Sequence, residues 1–186
     1  MLRVAVLISG GGSNLKSLID SQDNDYYKID IVIADRDCSG LNIAENAGIK
    51  AVLLDRKVYK KDLFKKIDEE ISHIDLVVLA GFLSIVDSAF IKKWEGKIIN
   101  IHPSLLPKYG GKGMYGIHVH EAVIANKEKE SGCTVHYVTD TIDGGDIIMQ
   151  TKVEVKEDDT ADVLQKRVLV EEHKLLPATV KKLSKM

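Results

Sequence analysis

The run Leu2 to Ser9, LRVAVLIS, is apolar and rich in β-branched residues, and it stops at three consecutive glycines, Gly10, Gly11 and Gly12. A strand without polar alternation has to be covered on both faces, as strands in a parallel sheet are. Behind the glycines, Ser13 opens the stretch NLKSLIDSQ, in which Leu15, Leu18 and Ile19 recur at helical spacing. The first unit therefore reads strand, tight turn, helix.

The unit repeats. Ile29 to Ala34 reads as a second strand, Leu41 to Ala47 as a short helix, Ala51 to Leu54 as a third strand, Lys60 to Ile71 as a charged amphipathic helix and Leu76 to Ala80 as a fourth strand. This alternation predicts an α/β fold with right-handed crossovers and a doubly wound, Rossmann-like, mostly parallel sheet. Ligands in such sheets sit at the carboxyl ends of the strands. The second half has another pattern. Lys97 to Ile101 reads as a buried strand leading into HPSLLP, and Gly110 to Gly116 as a loop beside the site. Thr134 to Val138 and Ile147 to Val155 read as strands separated by the turn Asp143-Gly144-Gly145. The last alternates at Val153 and Val155, as an exposed antiparallel edge would. A final helix from about Thr160 to Leu183 is expected to turn Val163, Leu164, Val168 and Leu175 inward and to be interrupted at Pro177. At 186 residues, 45% of them hydrophobic, the chain is read as a single domain, 1–186, with a parallel half over 1–100 and a second half over 101–186.

Charge and cysteine content narrow the function classes. Lys and Arg number 26 against 28 Asp and Glu, so no overall pull toward nucleic acid or an anionic membrane is expected, and an anionic ligand must be held by local groups. Cys38 and Cys133 form no CxxC, which signals neither a disulfide framework nor a thiolate zinc site, and both are expected to be reduced and inert. The apolar stretch Val4 to Ile8 is too short to span a bilayer and lacks a signal-peptide cleavage pattern, so a cytoplasmic location is expected. His118, His120 and His136 lack placed carboxylates for a metal site, and none is expected. There is no nucleophile elbow and no activated thiol, so covalent catalysis is disfavoured. The basic run Lys60, Lys61, Lys65 and Lys66 reads as a solvated helix face.

Three places can carry chemistry. The turn Gly10-Gly11-Gly12-Ser13-Asn14 puts backbone N–H groups and two small polar side chains at a helix N-terminus, where a phosphate is favoured. Residue 15 is Leu rather than the third glycine of a dinucleotide fingerprint, and no P-loop Lys follows, so neither NAD nor ATP is signalled. The plainer reading is a helix cap. In Ile99-Asn100-Ile101-His102-Pro103, the two-residue strand period projects Asn100 and His102 to one face, where an amide donor and an imidazole can converge on one atom. That pair suits an oxyanion at a carbonyl carbon under attack, with the imidazole moving a proton; a strand-end His bonded only to structure is the alternative. Asp143, in TIDGGD, can aim a carboxylate across a cleft, although Asp-Gly-Gly by itself is ordinary turn chemistry.

Taken in order, SGGGSN, LAGF, NIHPSLLP and DGGDIIMQ resemble the phosphoribosylglycinamide formyltransferase family over essentially the whole chain. The resemblance implies the formyltransferase fold, 10-formyltetrahydrofolate as co-substrate, phosphoribosylglycinamide as acceptor and a place in purine synthesis. It implies Asn100, His102 and Asp143 as the catalytic trio, Gly11, Gly12, Ser13 and Asn14 around the substrate phosphate, and Glu172 at the ribose. Residues 1–100 would then form the phosphate-binding half and 101–186 the folate and catalytic half. The folate is expected along Leu83, Ser84, Ile85 and Val86 and along Tyr137, Val138, Thr139, Asp140, Thr141 and Ile142, besides Asn100. Lys61 would face its tail, with Arg56 as the alternative. The loop Lys108 to His120 is longer than in some members, so His118 and His120 compete for one site-lining position. Leu169 stands where a Lys or Gln is common. Partners are expected to be small molecules only, with the protein a monomer or homodimer.

Related possibilities are a formyl-folate hydrolase and a formyltransferase acting on methionyl-tRNA, which carry an additional N-terminal or C-terminal domain that the length here is not expected to accommodate. A non-catalytic phosphate-binding module would leave Asn100, His102 and Asp143 without purpose. An NAD oxidoreductase would use Asp35 as its ribose acid.

Overall fold

The computed structural model describes residues 1–186. In chain order the elements are β1 (Leu2–Ile8), α1 (Ser13–Ser21), β2 (Tyr27–Ala34), α2 (Gly40–Asn46), β3 (Lys50–Leu53), α3 (Arg56–Tyr59), α4 (Leu63–Glu70) and β4 (Leu76–Leu79). There follow α5 (Ser88–Lys93), β5 (Ile98–His102), α6 (Ile117–Ala125), β6 (Glu130–Tyr137), β7 (Ile147–Glu154) and α7 (Ala161–Ser184). All seven strands form one sheet, ordered β3-β2-β1-β4-β5-β6-β7. The first five run parallel; β6 and β7 are antiparallel.

The N-terminal apolar run is central, as its lack of alternation requires, and Val4 to Ile8 are wholly buried. One face of the sheet packs against α1 and α7, burying Val4, Val6, Ile99, Ile101, Leu164 and Val168 in a common cluster. The other face buries Ala5, Leu7 and Ile98 under Phe64, Ile67 and Phe90 of α4 and α5. No helix is long and apolar enough to cross a membrane.

Several expectations shift. The helix expected over 60–71 is a single 3₁₀ turn at Lys60–Asp62 followed by α4, and the short α3 precedes it. Asp55 caps α3 by accepting from the Lys57 N–H, and Lys60 adopts φ 49, which ends α3's regular path. The helix α7 is not interrupted at Pro177 but continues through it, with Pro177 itself buried against the core. Val163 does not face inward; it is exposed, while Leu164, Val168 and Leu175 are buried as expected. Three helices carried no expectation: the single-turn α3, α5, short and capped by Asp87 on the Phe90 N–H, and α6, too apolar throughout to show a helical stripe. Neither cysteine is paired; Cys133 is buried and Cys38 half-buried.

Candidate active site

The strand order reverses its winding between β1 and β4, because β2 and β3 lie to one side of β1 while β4 and β5 lie to the other. At such a switch point the loops leaving neighbouring strands diverge and open a crevice at the carboxyl edge. The turn after β1, the segment after β4 and the end of β5 all lie there.

Strand β5 sets the chemistry. Ile99 and Ile101 lie in the α7-side cluster, so Asn100 and His102 point to the opposite face. The antiparallel partner β6 places His136 directly opposite Asn100 and Thr134 opposite His102. The Asn100 Nδ2 lies 3.2 Å from His136 Nε2, while His136 Nδ1 is 2.9 Å from the Tyr137 carbonyl oxygen. A carbonyl can only accept, so Nδ1 carries the proton and Nε2 accepts from the Asn100 amide. Burial pushes the His136 pKa down and keeps the ring neutral, despite the opposing influence of the Tyr137 carbonyl and Asp143.

Asp143 enters from the turn between β6 and β7. Its Oδ1 lies 3.5 Å from His102 Nδ1 and 3.7 Å from His136 Nε2, and its Oδ2 accepts from the Gly111 N–H at 2.9 Å. The backbone at Asp143 has φ 54, a left-handed conformation that Asp and Asn tolerate better than most residues. Gly145 is required by contact: a methyl there would stand 1.8 Å from the Tyr137 carbonyl oxygen. His102 donates from Nε2 to the Tyr109 carbonyl at 2.8 Å. The segment Tyr109 to Gly111 thus holds both His102 and Asp143. The trio named from sequence is brought together, and His136 joins it as the acceptor that orients Asn100. His136 was legible only as a possible metal ligand; its signal was the register of β6 against β5, which a sequence does not display.

The loop expected over Lys108 to His120 ends at Gly116, so both competing histidines stand on α6, and His120 is the one turned inward. It is 1% exposed with an unpartnered Nδ1, and burial together with the His102 charge pushes its pKa down to about 4. His118 lies at the surface against the Tyr115 ring. No three His, Cys, Asp or Glu side chains are grouped to share a metal ion.

The turn after β1 reaches α1 through Gly12, whose φ is 77, and no side chain caps the helix. Its first-turn N–H groups at Ser13 and Asn14 therefore remain free at the positive end of the helix dipole, with Gly11 and Ser13 exposed beside them. Asn14 donates to Glu172 Oε1 at 3.2 Å, so α7 brings Glu172 to the same turn. Burial raises the Glu172 pKa, with the Asn14 hydrogen bond opposing. Leu169, one helical turn before, is half-buried and adds no charge here.

The segment after β4 exposes Leu83 and Ile85 at 52% and 78%, and the turn after β6 exposes Ile142 at 46%. In that turn the N–H groups of Asp140 and Ile142 donate to nothing in the protein. Exposed apolar side chains beside free main-chain donors suit a ligand with an apolar face and an acceptor-bearing edge. Tyr137 and Val138 lie half-buried at the root of this turn, followed by Thr139 and Thr141, while Ser84 and Val86 are half-buried in the β4 segment. Lys61 lies on the 3₁₀ turn, exposed, in a cleft with Phe64, Asp87 and Phe90 beside that segment. Arg56 is half-buried, its Nε unpartnered. Asp35 has no exposed surface and is hydrogen-bonded to Ser9, Ser84 and Arg36, so it is not free to meet the ribose of a dinucleotide.

Known proteins share this fold. Residues 2–180 match the family model described as formyl transferase. The phosphoribosylglycinamide formyltransferase of Escherichia coli is 39% identical over 96% of this chain and 85% of its own length. The human trifunctional purine biosynthetic protein adenosine-3 is 46% identical over 96% of this chain, which spans only 18% of that longer protein. Among solved structures, glycinamide ribonucleotide transformylase 1 from Symbiobacterium toebii superposes with a TM-score of 0.92 at 35% identity, covering 100% of this chain and 88% of that one. Phosphoribosylglycinamide formyltransferase from Anaplasma phagocytophilum gives 0.89 at 40% identity, covering 99% and 87%. The chain belongs to the formyl transferase family, among its phosphoribosylglycinamide formyltransferases.

Proposed function

We propose that this chain transfers the formyl group of 10-formyltetrahydrofolate to the amine of 5'-phosphoribosylglycinamide, a step of purine synthesis. The observation that carries the reading is the convergence of Asn100, His102 and Asp143 at the sheet edge that also bears the free N-terminus of α1. In this reading residues 1–186 act as one domain. The half 1–100 contributes the phosphate turn at Gly11, Gly12, Ser13 and Asn14, and 101–186 contributes the catalytic trio. Glu172 meets the ribose, and the folate lies along Leu83 to Val86 and Tyr137 to Ile142, its tail toward Lys61. The same reading carries a cytoplasmic location, small-molecule partners and a monomer or homodimer.

The formyl donor supplies an activated one-carbon carbonyl. Asn100 keeps one amide N–H on His136 and offers the second to the oxyanion that develops as the amine attacks. His102 adds positive charge at the same place. Asp143, 3.5 Å from its Nδ1, stabilises that charge and, directly or through water, carries the proton from the attacking nitrogen toward the departing one. Removing one such group costs about 10²-fold or more in turnover.

The test is release of tetrahydrofolate from the formyl donor, followed by absorbance with and without phosphoribosylglycinamide. Amine-dependent release is the expected result. Release without the amine would make the protein a hydrolase, and silence under both conditions a binding module.

A further inference from the structure

The carboxylate of Asp35 closes β2 beneath the crevice, and each of its oxygens accepts two hydrogen bonds. Oδ1 takes the Ser9 hydroxyl at 2.7 Å and Arg36 Nε at 3.0 Å. Oδ2 takes the Ser84 hydroxyl at 2.5 Å and Arg36 Nη2 at 3.0 Å. Ser9 in turn accepts the Leu83 N–H at 2.9 Å. Ser9 is the last residue before the glycine turn, and Leu83 and Ser84 belong to the segment after β4. One buried carboxylate therefore joins the loops that flank the switch point.

How much the second loop depends on this joint follows from its other bonds. Between the Ala80 N–H, bonded to the Leu7 carbonyl, and Asp87, which caps α5, residues 81–86 make only two hydrogen bonds: Leu83 to Ser9 and Ser84 to Asp35. Phe82 and Val86 pack against the α4 and α5 core, but Leu83 and Ile85 stand exposed. The glycine turn is held separately, by the Gly40 N–H on the Gly10 carbonyl at 3.1 Å and by close packing of Gly12 on Gly40. Releasing Asp35 should loosen the segment after β4 and leave the glycine turn in place.

We infer that Asp35 is a positioning residue for the folate side of the reaction, fixing Leu83 and Ser84 at a set distance from the phosphate turn through Ser9 and Ser84. The inference rests on the formyl-transfer reading, because it presumes that the segment after β4 meets the folate. Arg36, 29% exposed at its side chain, supplies the countercharge that lets the carboxylate stay ionised in a buried place. An Asn at this position keeps the shape but loses two of the four acceptor positions: one Arg36 N–H then faces the amide N–H₂, and the serine on that side has to turn its hydroxyl to accept from a neutral amide in place of donating to a carboxylate.

The experiment measures the affinities of tetrahydrofolate and of phosphoribosylglycinamide separately, by calorimetry, for the wild type, Asp35→Asn, Ser84→Ala, Ser84→Thr and the double variant Asp35→Asn with Ser84→Ala. Asp35→Asn is expected to weaken tetrahydrofolate about 10-fold, the effect of losing one hydrogen bond to a charged group, and phosphoribosylglycinamide by no more than about threefold. Ser84→Ala should weaken tetrahydrofolate in the same direction, Ser84→Thr should restore it, and the Ser84→Ala effect should be clearly smaller in the Asp35→Asn background. Additive effects, or equal weakening of both ligands, would overturn the role of Asp35. If Asp35→Asn does not fold, the Ser84 pair decides: equal affinities for Ala and Thr variants overturn it. Failure of the wild type itself to bind tetrahydrofolate would instead remove the functional reading on which the inference stands.

Discussion

Oδ1 of Asp143 lies 3.5 Å from Nδ1 of His102, delivered there by a turn whose Asp has φ 54 and whose second following glycine has no room for a methyl group. The carboxylate is held on its other oxygen by the Gly111 N–H. Asp143→Asn should preserve this backbone, because Asn accepts left-handed φ readily. It should lower kcat by about 10²-fold or more in the amine-dependent release assay, with a melting temperature close to that of the wild type. Near-normal turnover would remove Asp143 from the chemistry.

His136 acts through Asn100 rather than on the substrate. His136→Leu leaves the Asn100 amide without its acceptor and should reduce kcat about 10-fold. His136→Gln, whose side-chain oxygen can accept the same bond, should lose less. The same kcat in both variants would show that the hydrogen bond to Asn100 does not orient the amide for turnover.

The glycines of the first turn divide into two kinds. A methyl at Gly11 meets nothing within 4 Å, whereas one at Gly12 would stand 2.9 Å from the Gly40 Cα on a backbone of φ +77. Gly12→Ala should therefore cost about 1–2 kcal/mol of stability in urea unfolding. Gly11→Ala should leave stability nearly unchanged while raising KM for phosphoribosylglycinamide several-fold. Unchanged KM in a well-folded Gly11→Ala protein would argue that the phosphate does not bind there.

Acid should destabilise the protein through His120. Its folded-state pKa is pushed down to about 4, first by burial and then by the charge of His102, whereas in the unfolded chain it titrates near 6.5. Between those values the unfolded chain binds a proton that the folded chain does not, so stability is complete above about pH 6.5 and falls toward pH 4 by roughly 3 kcal/mol. Burial lowers His136 and His173 in the same sense, while the raised Glu172 opposes them. The difference between wild type and His120→Gln isolates the contribution. Urea midpoints measured from pH 7 to pH 4 should fall less steeply for the variant, and parallel curves would show that His120 is not held neutral.

The parallel sheet was legible in the apolar strand runs and glycine turn, because burial on both faces leaves a direct mark on composition. Asn100 and His102 were legible because the two-residue strand period is a local property that assigns them to one face. Their company was not. Which strand lies beside β5, and in what register, is set by long-range pairing, and only that pairing puts His136 opposite Asn100 and Asp143 within reach of His102. The same holds at the other side of the crevice. Asp35 in the sequence was a candidate ribose acid at a strand end; the order β2-β1-β4 makes it a buried joint between Ser9 and Ser84, 49 residues further along the chain. The sequence by itself determined the strand and helix pattern and the residue types able to do the chemistry, since propensity and periodicity act over a few residues. The tertiary structure alone decided which of those residues meet, since distance across a sheet depends on strand order and not on separation along the chain.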